Sequence, residues 1–385
     1  MNKNKKLGIN TTCVHVGEVK DEQFKGAVSP IYMSTSYAFD NVAIKRYPRY
    51  YNTPNQEMLC KKIAALENTE DALIFTSGMA AISSAMLAFL KHGDHVVIQQ
   101  VIYGGTYNFI VSEFEKYGIE YSFTESDKVE DFIPLIKKNT KILYIETPSN
   151  PLLGITDMQA IANVAKKHAI LTMIDNTFAS PINQNPYNFG IDIVIHSATK
   201  YMGGHSDISA GAVAASKAHI EQIWKTAINL GGNLSDQTVW LLERSLKTLN
   251  LRLKAQTENA QKMAAYLENS ADIDAVYYPG LQSHPQYNIA KKQMKGFGAM
   301  LSFELSSNID AMDFQRNLQL IKPSMSLAGL ESTTVSPAQT THALLSEEER
   351  LARGIKDGLI RFSVGIEEAE DLIYDIEQAI KKAKK

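Results

Sequence analysis

The stretch Asp157–Asp175, DMQAIANVAKKHAILTMID, decides the fold class. Apolar residues in its first part are spaced three and four apart, which is typical of an amphipathic helix. Its last six residues, ILTMID, are mostly apolar, include β-branched side chains and do not alternate with polar ones, which is typical of a strand covered on both faces. A helix that leads directly into such a strand is half of a βαβ unit.

Similar short apolar runs occur on both sides of this stretch. They are ALIF (72–75), HVVIQ (95–99), KILYIE (141–146) and DIVIH (192–196). Helix-like segments separate them, and this order predicts a mostly parallel sheet covered by helices. We therefore expect an α/β domain over residues 56–245.

The C-terminal part of the chain has a different pattern. GAMLSFEL (298–305) and GLIRFSVG (358–365) are predicted strands, Ser346 to Glu349 is a capping box before a short helix, and a last helix is expected over 367–382. A long helix is predicted from about Ser235, with that serine as N-cap and one apolar stripe of Val239, Leu242, Leu246, Leu249 and Leu253. Residues 246–385 are therefore predicted to form a smaller α+β domain. Residues 1–55 lack periodicity and are predicted to form an extended arm.

Composition narrows the possible functions. The 385 residues are 44% apolar and 21% charged, with a net charge of −3 and dispersed basic residues, which argues against nucleic acid or an anionic membrane as the main partner. No apolar run is long enough to span a bilayer, and MNKNKK is followed by polar residues rather than a signal core. The two cysteines, Cys13 and Cys60, are too few for a disulfide framework. We expect a cytoplasmic protein with reduced thiols.

The segment His196–Asp207, HSATKYMGGHSD, places Lys200 just after a predicted strand, where open α/β sheets bind their ligands. Asp175 ends the strand ILTMID, and Gly78 in TSGMAA follows the strand ALIF and opens an apolar helix that could receive a phosphate. Each of the three residues also has an ordinary structural alternative. Lys200 could be a solvated surface lysine, Asp175 a carboxylate that caps a turn, and Gly78 one of the many glycines found in βα turns.

Together these three residues favour pyridoxal 5′-phosphate (PLP). PLP chemistry needs a lysine that forms an imine, an acid opposite the pyridine nitrogen and a seat for the phosphate. A carboxylate about 3 Å from the protonated nitrogen contributes on the order of 5 kcal/mol at an effective dielectric near 20, before desolvation. Ser197 and Thr199 add hydroxyls for the phosphate, although turn-forming roles are equally open to them.

The segments that carry this pattern resemble the Cys/Met-metabolism family of PLP enzymes, whose members include cystathionine γ-synthase, cystathionine β- and γ-lyases, methionine γ-lyase and the O-acylhomoserine sulfhydrylases. The similarity covers almost the whole chain, in order, through TSGMAA, YGGT, ETPSNP, DNTFASP, SATKYMGGHSD, HPQYNIAKKQMKGFGAMLSFEL and SLAGLES. It implies fold type I, a large domain with a mostly parallel sheet and a smaller α+β domain.

The resemblance also assigns roles. It implies that Lys200 holds the cofactor as a Schiff base and moves protons, that Asp175 pairs with the pyridine nitrogen, and that Tyr103 stacks on the ring. Asn150 would lie near the cofactor hydroxyl. The phosphate ligands would be Gly78, Met79, Ser197 and Thr199. From the sequence alone, Tyr103 is equally a core tyrosine.

Two further pairs of residues follow from the resemblance. Tyr47 and Arg49, in YPR, would reach the phosphate of a neighbouring subunit, which implies a dimer and, as is usual in the family, a dimer of dimers; their alternative is a solvated arm. Ser326 and Arg361 would bind the substrate carboxylate. Because a charge inside an apolar strand must be paired, the alternative for Arg361 is a buried ion pair with a protein acid. Tyr103 or Tyr47 would protonate the departing sulfur.

Several positions depart from the family pattern. Members that handle cystathionine commonly have an acid, an arginine and a glutamate where this chain has Arg46, Asn108 and Met325, and Gly105 replaces a cysteine usual in methionine γ-lyases. The NPT that usually follows the arginine is replaced by YYNTPN after Arg49, so Tyr50 and Tyr51 are expected to reshape the mouth of the site.

These departures leave the substrate open. We expect a carbon–sulfur lyase that releases thiol, a 2-oxo acid and ammonia from cystathionine, methionine or cysteine; the alternative is γ-replacement on an O-acylhomoserine. An inactive PLP-binding homologue is disfavoured by the retained site residues, and an aminotransferase by the family resemblance. No metal site is expected, since His205 and His342 have no metal-type spacing.

Overall fold

The computed structural model describes residues 7–340 and 346–384, excluding the side chains of Glu349 and Ala352. Apart from single 3₁₀ turns, its helices are α1 (Ile9–His15), α2 (Pro54–Glu67), α3 (Gly78–Phe89), α4 (Gly104–Glu113), α5 (Met158–His168), α6 (Ser180–Asn183), α7 (Lys217–Leu230), α8 (Asp236–Leu246), α9 (Leu249–Glu268), α10 (Tyr287–Gln293), α11 (Ala311–Asn317), α12 (Glu347–Ala352) and α13 (Ala369–Ala383). Its strands are β1 (Asp71–Phe75), β2 (His95–Ile98), β3 (Glu120–Phe123), β4 (Thr140–Glu146), β5 (Leu171–Asp175), β6 (Ile193–His196), β7 (Gly211–Ala215), β8 (Ile273–Tyr277), β9 (Met300–Leu305), β10 (Lys322–Pro323), β11 (Thr333–Val335) and β12 (Leu359–Ser363).

The stretch Asp157–Asp175 forms the predicted helix and strand. The Asp157 carboxylate accepts a hydrogen bond from the N–H of Ala160 at 3.0 Å, which satisfies a donor that the first turn of α5 leaves free. Met158 and Ile161 on α5 pack with Ile174 of β5 in one buried cluster on one face of the large sheet. The regularly spaced apolar residues of α5 therefore form the face of the helix that packs on the sheet.

The large sheet has seven strands in the order β1-β7-β6-β5-β4-β2-β3. β6, β5, β4, β2 and β3 are parallel, and separate hydrophobic clusters cover the two faces. All five predicted runs are strands of this sheet, which confirms the α/β class. β3 and β7 were not predicted, and β7 is antiparallel to both β1 and β6.

The smaller sheet has the order β10-β11-β12-β9-β8 and contains both strands predicted for the C-terminal part. The predicted last helix corresponds to α13, which begins with acids and ends with lysines, as the helix dipole favours. α12 follows Ser346 as expected, but the capping box depends on the side chain of Glu349, which lies outside the described residues.

The long helix predicted from Ser235 is wrong in one respect, because the structure has two helices with a break at Lys247–Thr248. The five stripe residues are nevertheless all buried. The Ser235 hydroxyl hydrogen-bonds the Thr238 hydroxyl instead of capping a backbone N–H. At the break, the buried Arg252 guanidinium donates to the Ser245 carbonyl at 3.0 Å, replacing a helical partner that the break removes.

Residues 1–55 are only partly an extended arm. α1 packs on α2, and the fully buried Lys62 ammonium donates to the Cys13 carbonyl at 2.7 Å near the C-terminal end of α1. The segment that follows α1 exposes large apolar side chains, among them Phe24, Met33 and Phe39, which are 79%, 63% and 78% exposed.

One hydrophobic cluster connects the two sheets. It runs from Cys13 on α1, through Ile74 and Ala212 of the large sheet, to Phe303 of the smaller sheet and Ala383 at the end of α13. Across the part of the chain that the structure describes, no helix combines the length and apolar character needed to cross a bilayer.

Candidate active site

A cavity of about 480 Å³ opens at the carboxyl ends of β4, β5 and β6, where the large sheet faces the segments around Ser326 and Arg361. This volume is in the range of small-molecule and cofactor sites. The structure brings ten of the predicted site residues to its wall, namely Gly78, Met79, Tyr103, Asn150, Asp175, Ser197, Thr199, Lys200, Ser326 and Arg361. Further wall residues are Ser77, Ile82, Gly104, Gly105, Asn108, Glu146, Thr177, Phe178, Met325 and Leu327.

Lys200 lies in the turn after β6, with its N–H bonded to the Ser197 carbonyl at 3.0 Å. Its ammonium group donates to the Ser326 hydroxyl at 2.6 Å. Burial, and secondarily the charge of Arg361, lowers the pKa of Lys200 to about 8. A larger fraction of the amine is therefore neutral near neutral pH than for an ordinary lysine, and a nucleophile or base must be neutral to act. Lys200 therefore lies in the cavity, and the alternative of a solvated surface lysine is wrong.

Asp175 and Glu146 end two adjacent parallel strands and are Cα partners in register. They are 5% and 4% exposed, and burial raises the pKa of each carboxyl group, with Asp175 adding to the effect on Glu146. Asp175 accepts the N–H of Thr177 at 2.9 Å. Neither carboxyl has a lysine or arginine within ion-pair distance in the described part of the chain. A cationic ring nitrogen would supply such a partner.

The start of α3 is built to receive an anion. The Ser77 hydroxyl accepts the N–H of Ala80 at 3.1 Å, while the N–H groups of Gly78 and Met79 have no partner among residues 7–340 and 346–384. A Cβ on Gly78 would lie 2.8 Å from the Cβ of Ser197, so glycine lets the helix approach the lysine-bearing turn.

The two predicted hydroxyl ligands differ. Ser197 faces the start of α3 and its hydroxyl has no hydrogen-bond partner among the described residues. The Thr199 hydroxyl accepts the N–H of Ala210 at 2.9 Å and donates to its carbonyl at 3.1 Å. Thr199 therefore lines the cavity with its hydroxyl already engaged in holding the turn.

Arg361 lies in the middle of β12 and is 4% exposed. One Nη donates to the Asn150 side-chain oxygen at 3.1 Å and the other to the Ser326 carbonyl at 3.0 Å, while Nε has no partner. Burial lowers the pKa of Arg361 to about 10. No protein acid forms an ion pair with it in the described ranges, so the alternative of a buried ion pair does not hold there. An incoming carboxylate would complete its donor set.

Tyr103 immediately precedes α4 and its side chain is 46% exposed at the cavity. The alternative of a core tyrosine is therefore wrong. Its N–H donates to Glu146 at 2.7 Å. A Cβ on Gly105 would lie 2.5 Å from a ring carbon of Tyr103, so any larger residue at that position would displace the ring.

Tyr47 and Arg49 do not line the cavity of their own chain. The Arg49 guanidinium donates to the Ile228 carbonyl at 2.5 Å and lies 5.6 Å and 5.4 Å from the ring centres of Tyr47 and Tyr50. Tyr51 was expected at the mouth of the site, and this expectation is wrong within the chain: it is 4% exposed and packs edge-on against Phe75.

The three positions where members that handle cystathionine commonly have an acid, an arginine and a glutamate do not lie together. Asn108 and Met325 line the cavity, whereas Arg46 forms an ion pair with Glu57 at 3.0 Å outside it. His205 hydrogen-bonds the Gly203 carbonyl at 2.8 Å, and His342 lies outside the described residues. The described residues contain no group of three or more side chains placed to hold a metal ion.

These features fit PLP. The free N–H groups at the start of α3 match a phosphate, the buried carboxyls match a protonated ring, and the lysine of lowered pKa matches an aldehyde. The unpaired Nε of Arg361 matches the carboxylate of an amino acid. Glu146 was missed, although KILYIE ends in an acid just as ILTMID does, and that shared pattern could have identified it.

Comparison with known proteins agrees with this fit. The chain is 43% identical over 378 residues to cystathionine beta-lyase of Lactococcus lactis subsp. cremoris (strain MG1363), covering 97% of this chain and 99% of the relative. It is 44% identical over 374 residues to cystathionine gamma-lyase of Bacillus subtilis (strain 168), covering 96% and 98%.

Two solved structures match with a TM-score of 0.94 and 38% identity, each covering 98% of this chain and 99% of the other. They are cystathionine gamma-lyase from Lactobacillus plantarum complexed with L-serine, and cystathionine gamma synthase from Xanthomonas oryzae pv. oryzae in complex with aminoacrylate and cysteine. These matches agree with the expected fold type I. The family model described as Cys/Met metabolism PLP-dependent enzyme matches residues 10–381. The chain therefore belongs to the Cys/Met-metabolism family of PLP-dependent enzymes.

Proposed function

We propose that the protein is a carbon–sulfur lyase that uses PLP to eliminate thiol from a sulfur amino acid of the cystathionine, methionine or cysteine type. The products would be a thiol, a 2-oxo acid and ammonia. The observation that carries the proposal is the joint placement of the Lys200 amine, the Asp175 carboxyl and the Arg361 guanidinium around one cavity. The two relatives compared above, which are named as cystathionine lyases, support the same reaction class.

The cofactor would be held by Asp175 at the end of β5 and by residues of the segments that follow β1, β2, β4 and β6. Lys200 would bind its aldehyde carbon and Asp175 would face its ring nitrogen. The remaining contacts would come from Tyr103 on the ring, Asn150 near the ring hydroxyl, and a phosphate seat of Gly78, Met79, Ser197 and Thr199. When bound, PLP supplies a sink for the electron pair left at Cα after proton removal.

The chain's own residues would do the rest. Arg361 and Ser326 would orient the substrate by its carboxylate, with the free Nε and the main-chain segment around Ser326 as contacts. Lys200, once displaced by the substrate amine, would take the Cα proton, for which its lowered pKa suits it. Tyr103 or Tyr47 would donate the proton that the departing sulfur requires.

Assembly and location are part of the proposal. Residues 56–245 would form the PLP-binding domain, residues 246–385 the smaller domain, and residues 1–55 an arm on a neighbouring subunit. The exposure of Tyr47 and Arg49, and of the apolar residues before them, supports an arm of that kind. We propose a homodimer, paired into a dimer of dimers, in the cytoplasm, where the free Cys13 and Cys60 would stay reduced.

A second candidate is γ-replacement on an O-acylhomoserine, since a synthase matches the backbone as well as a lyase does. A substrate panel separates the two. We expect 2-oxo acid from cystathionine, methionine or cysteine, against consumption of O-acetyl- or O-succinylhomoserine with added thiol. Lys200→Ala should abolish turnover and the absorbance of lysine-bound cofactor. If no sulfur amino acid yields 2-oxo acid, the lyase proposal fails.

A further inference from the structure

Glu146 is the one carboxyl on the cavity wall to which neither the sequence pattern nor the family resemblance gave a role. It ends β4, and its side chain is 4% exposed. Its two oxygens serve different segments: one accepts the N–H of Tyr103 at 2.7 Å and the other the N–H of Asn150 at 3.2 Å. A single buried carboxyl thus joins the start of α4 to the loop after β4.

Both of these segments carry side chains that act in the site. The Tyr103 ring stands at the cavity just before α4, where the proposed cofactor ring would lie. The Asn150 side-chain oxygen accepts a hydrogen bond from Arg361 at 3.1 Å. Glu146 therefore contacts Tyr103 directly, and it reaches Arg361 through one intermediate residue, Asn150.

The main chain of Glu146 is held independently of its side chain. The Gln99 side chain accepts the Glu146 N–H at 3.1 Å and donates to its carbonyl at 2.9 Å, and β4 lies between β2 and β5. Strand β4 therefore does not need the Glu146 carboxyl to stay in place. A carboxyl that is dispensable to its strand but bonded to two functional segments points to a role in the site.

The charges around Glu146 are mostly negative. Asp175 faces it from β5 and Asp127 from the segment after β3. Tyr144 on β4 itself is uncharged, because burial raises the pKa of its hydroxyl. Arg361 on β12 is a positive group that interacts electrostatically with it. Burial and the charge of Asp175 raise the pKa of Glu146 and so favour its neutral form when no cation is near. A protonated ring nitrogen at this edge of the cavity would favour the ionised carboxyls, and the ionised carboxyls would in turn favour that proton.

We propose that Glu146 is a positioning residue for both halves of the site: it fixes the Tyr103 ring against the cofactor and, through Asn150, fixes Arg361 for the substrate carboxylate. Its charge adds to that of Asp175 in favouring the protonated cofactor. This inference rests on the family's cofactor and on the proposed places of Tyr103 and Arg361. It does not depend on which reaction follows.

Three variants test the inference. Glu146→Gln keeps the shape but places an amide NH₂ against one backbone N–H and removes the charge. Glu146→Asp keeps the charge but shortens the side chain by one methylene. Asp192→Asn is the matched control, because Asp192 accepts the N–H and hydroxyl of Thr172 at 2.9 Å and 2.8 Å near the opposite end of β5, away from the cavity.

Two readouts need no substrate. The visible circular dichroism of the bound cofactor reports how the ring is held. A pH titration of the cofactor absorbance gives the midpoint, the pH at which half of the absorbance change has occurred. A third is the amino-acid concentration at half-maximal spectral change. For Glu146→Gln we expect weaker dichroism, a midpoint lower by about one pH unit because a stabilising negative charge is lost, and roughly tenfold weaker amino-acid binding. For Glu146→Asp we expect the midpoint of the wild type with weaker dichroism and binding.

If Glu146→Gln retains too little cofactor to measure, Glu146→Asp decides through dichroism and amino-acid binding. Dichroism and binding that match Asp192→Asn in every measurable Glu146 variant would overturn the inference, because Glu146 would then be purely structural. A midpoint shift without changes in the other two readouts would also overturn it. A wild type that binds PLP but releases no 2-oxo acid would refute the lyase proposal and leave this test intact.

Discussion

The lowered pKa of Lys200 predicts an unusual pH dependence for cofactor attachment. Only the neutral amine attacks an aldehyde, so the rate of attachment to apoenzyme follows the neutral fraction of Lys200. With a pKa of about 8, in place of about 10.4 for an ordinary lysine, that fraction at pH 7 is roughly one in ten instead of about one in 2,500. Attachment should therefore be about 200-fold faster than the ordinary pKa would allow.

The sign of the profile follows from the same shift. Below pH 8 the rate should rise about tenfold per pH unit, and above it should level off, because the amine is then fully neutral. Stopped-flow absorbance after mixing apoenzyme with PLP measures the profile, and free pyridoxal, which lacks the phosphate, controls for titration of that group. Lys200→Ala should show no attachment.

The neighbouring arginine offers a second perturbation of the same profile. Burial is the larger cause of the lowered pKa and the charge of Arg361 the smaller. Arg361→Met should therefore move the levelling-off to higher pH by less than the full displacement of about 2.4 units. A wild-type rate that still climbs tenfold per unit through pH 9 would refute the reasoning, since Lys200 would then titrate as an exposed lysine.

Two other substitutions test the proposed binding sites for the substrate carboxylate and for the cofactor phosphate. Arg361→Lys loses the fork that reaches Asn150 and should raise the KM for an amino acid by about 10- to 100-fold, the cost of one charge-assisted hydrogen bond; an unchanged KM in steady-state assays would contradict this. Gly78→Ala crowds Ser197 and should raise the cofactor Kd in equilibrium dialysis about tenfold, for an overpacking cost of about 1–3 kcal/mol. Gly8→Ala, where a Cβ meets nothing within 4 Å, should leave that Kd unchanged.

The predictable parts of the fold were those with a clear apolar pattern. The strands of the large sheet were predicted from five short continuous apolar runs, and α5 from apolar residues spaced three and four apart. β7 was missed because GAVAA offers small side chains instead of the β-branched ones that mark a strand, and its antiparallel pairing leaves no local trace. The break before Leu249 was missed because the stripe continues across it, while the compensating contact comes from Arg252.

The site shows a similar division. Lys200, Asp175 and Gly78 each follow or end a predicted strand, so the edge they share could be inferred from the sequence. The resemblance to a family supplied Ser326 and Arg361, which no local pattern connects to that edge. The burial of Tyr51 could not be predicted, because its left-handed backbone, with φ of 60°, turns the ring toward Phe75 and away from the arm.

The hydrophobic cluster that spans both sheets limits how chimeras of this chain could be made. Leu246 and Leu249, on the two sides of the helix break, are fully buried in the cluster together with Ile74 and Phe303. A crossover at residue 245 would set side chains from two parents against each other throughout a close-packed interior, where even one methylene of mismatch costs about 1 kcal/mol. Substitution of cavity residues that lie outside this cluster, such as Met325, would leave the interior unchanged, whereas swapped halves would disturb it.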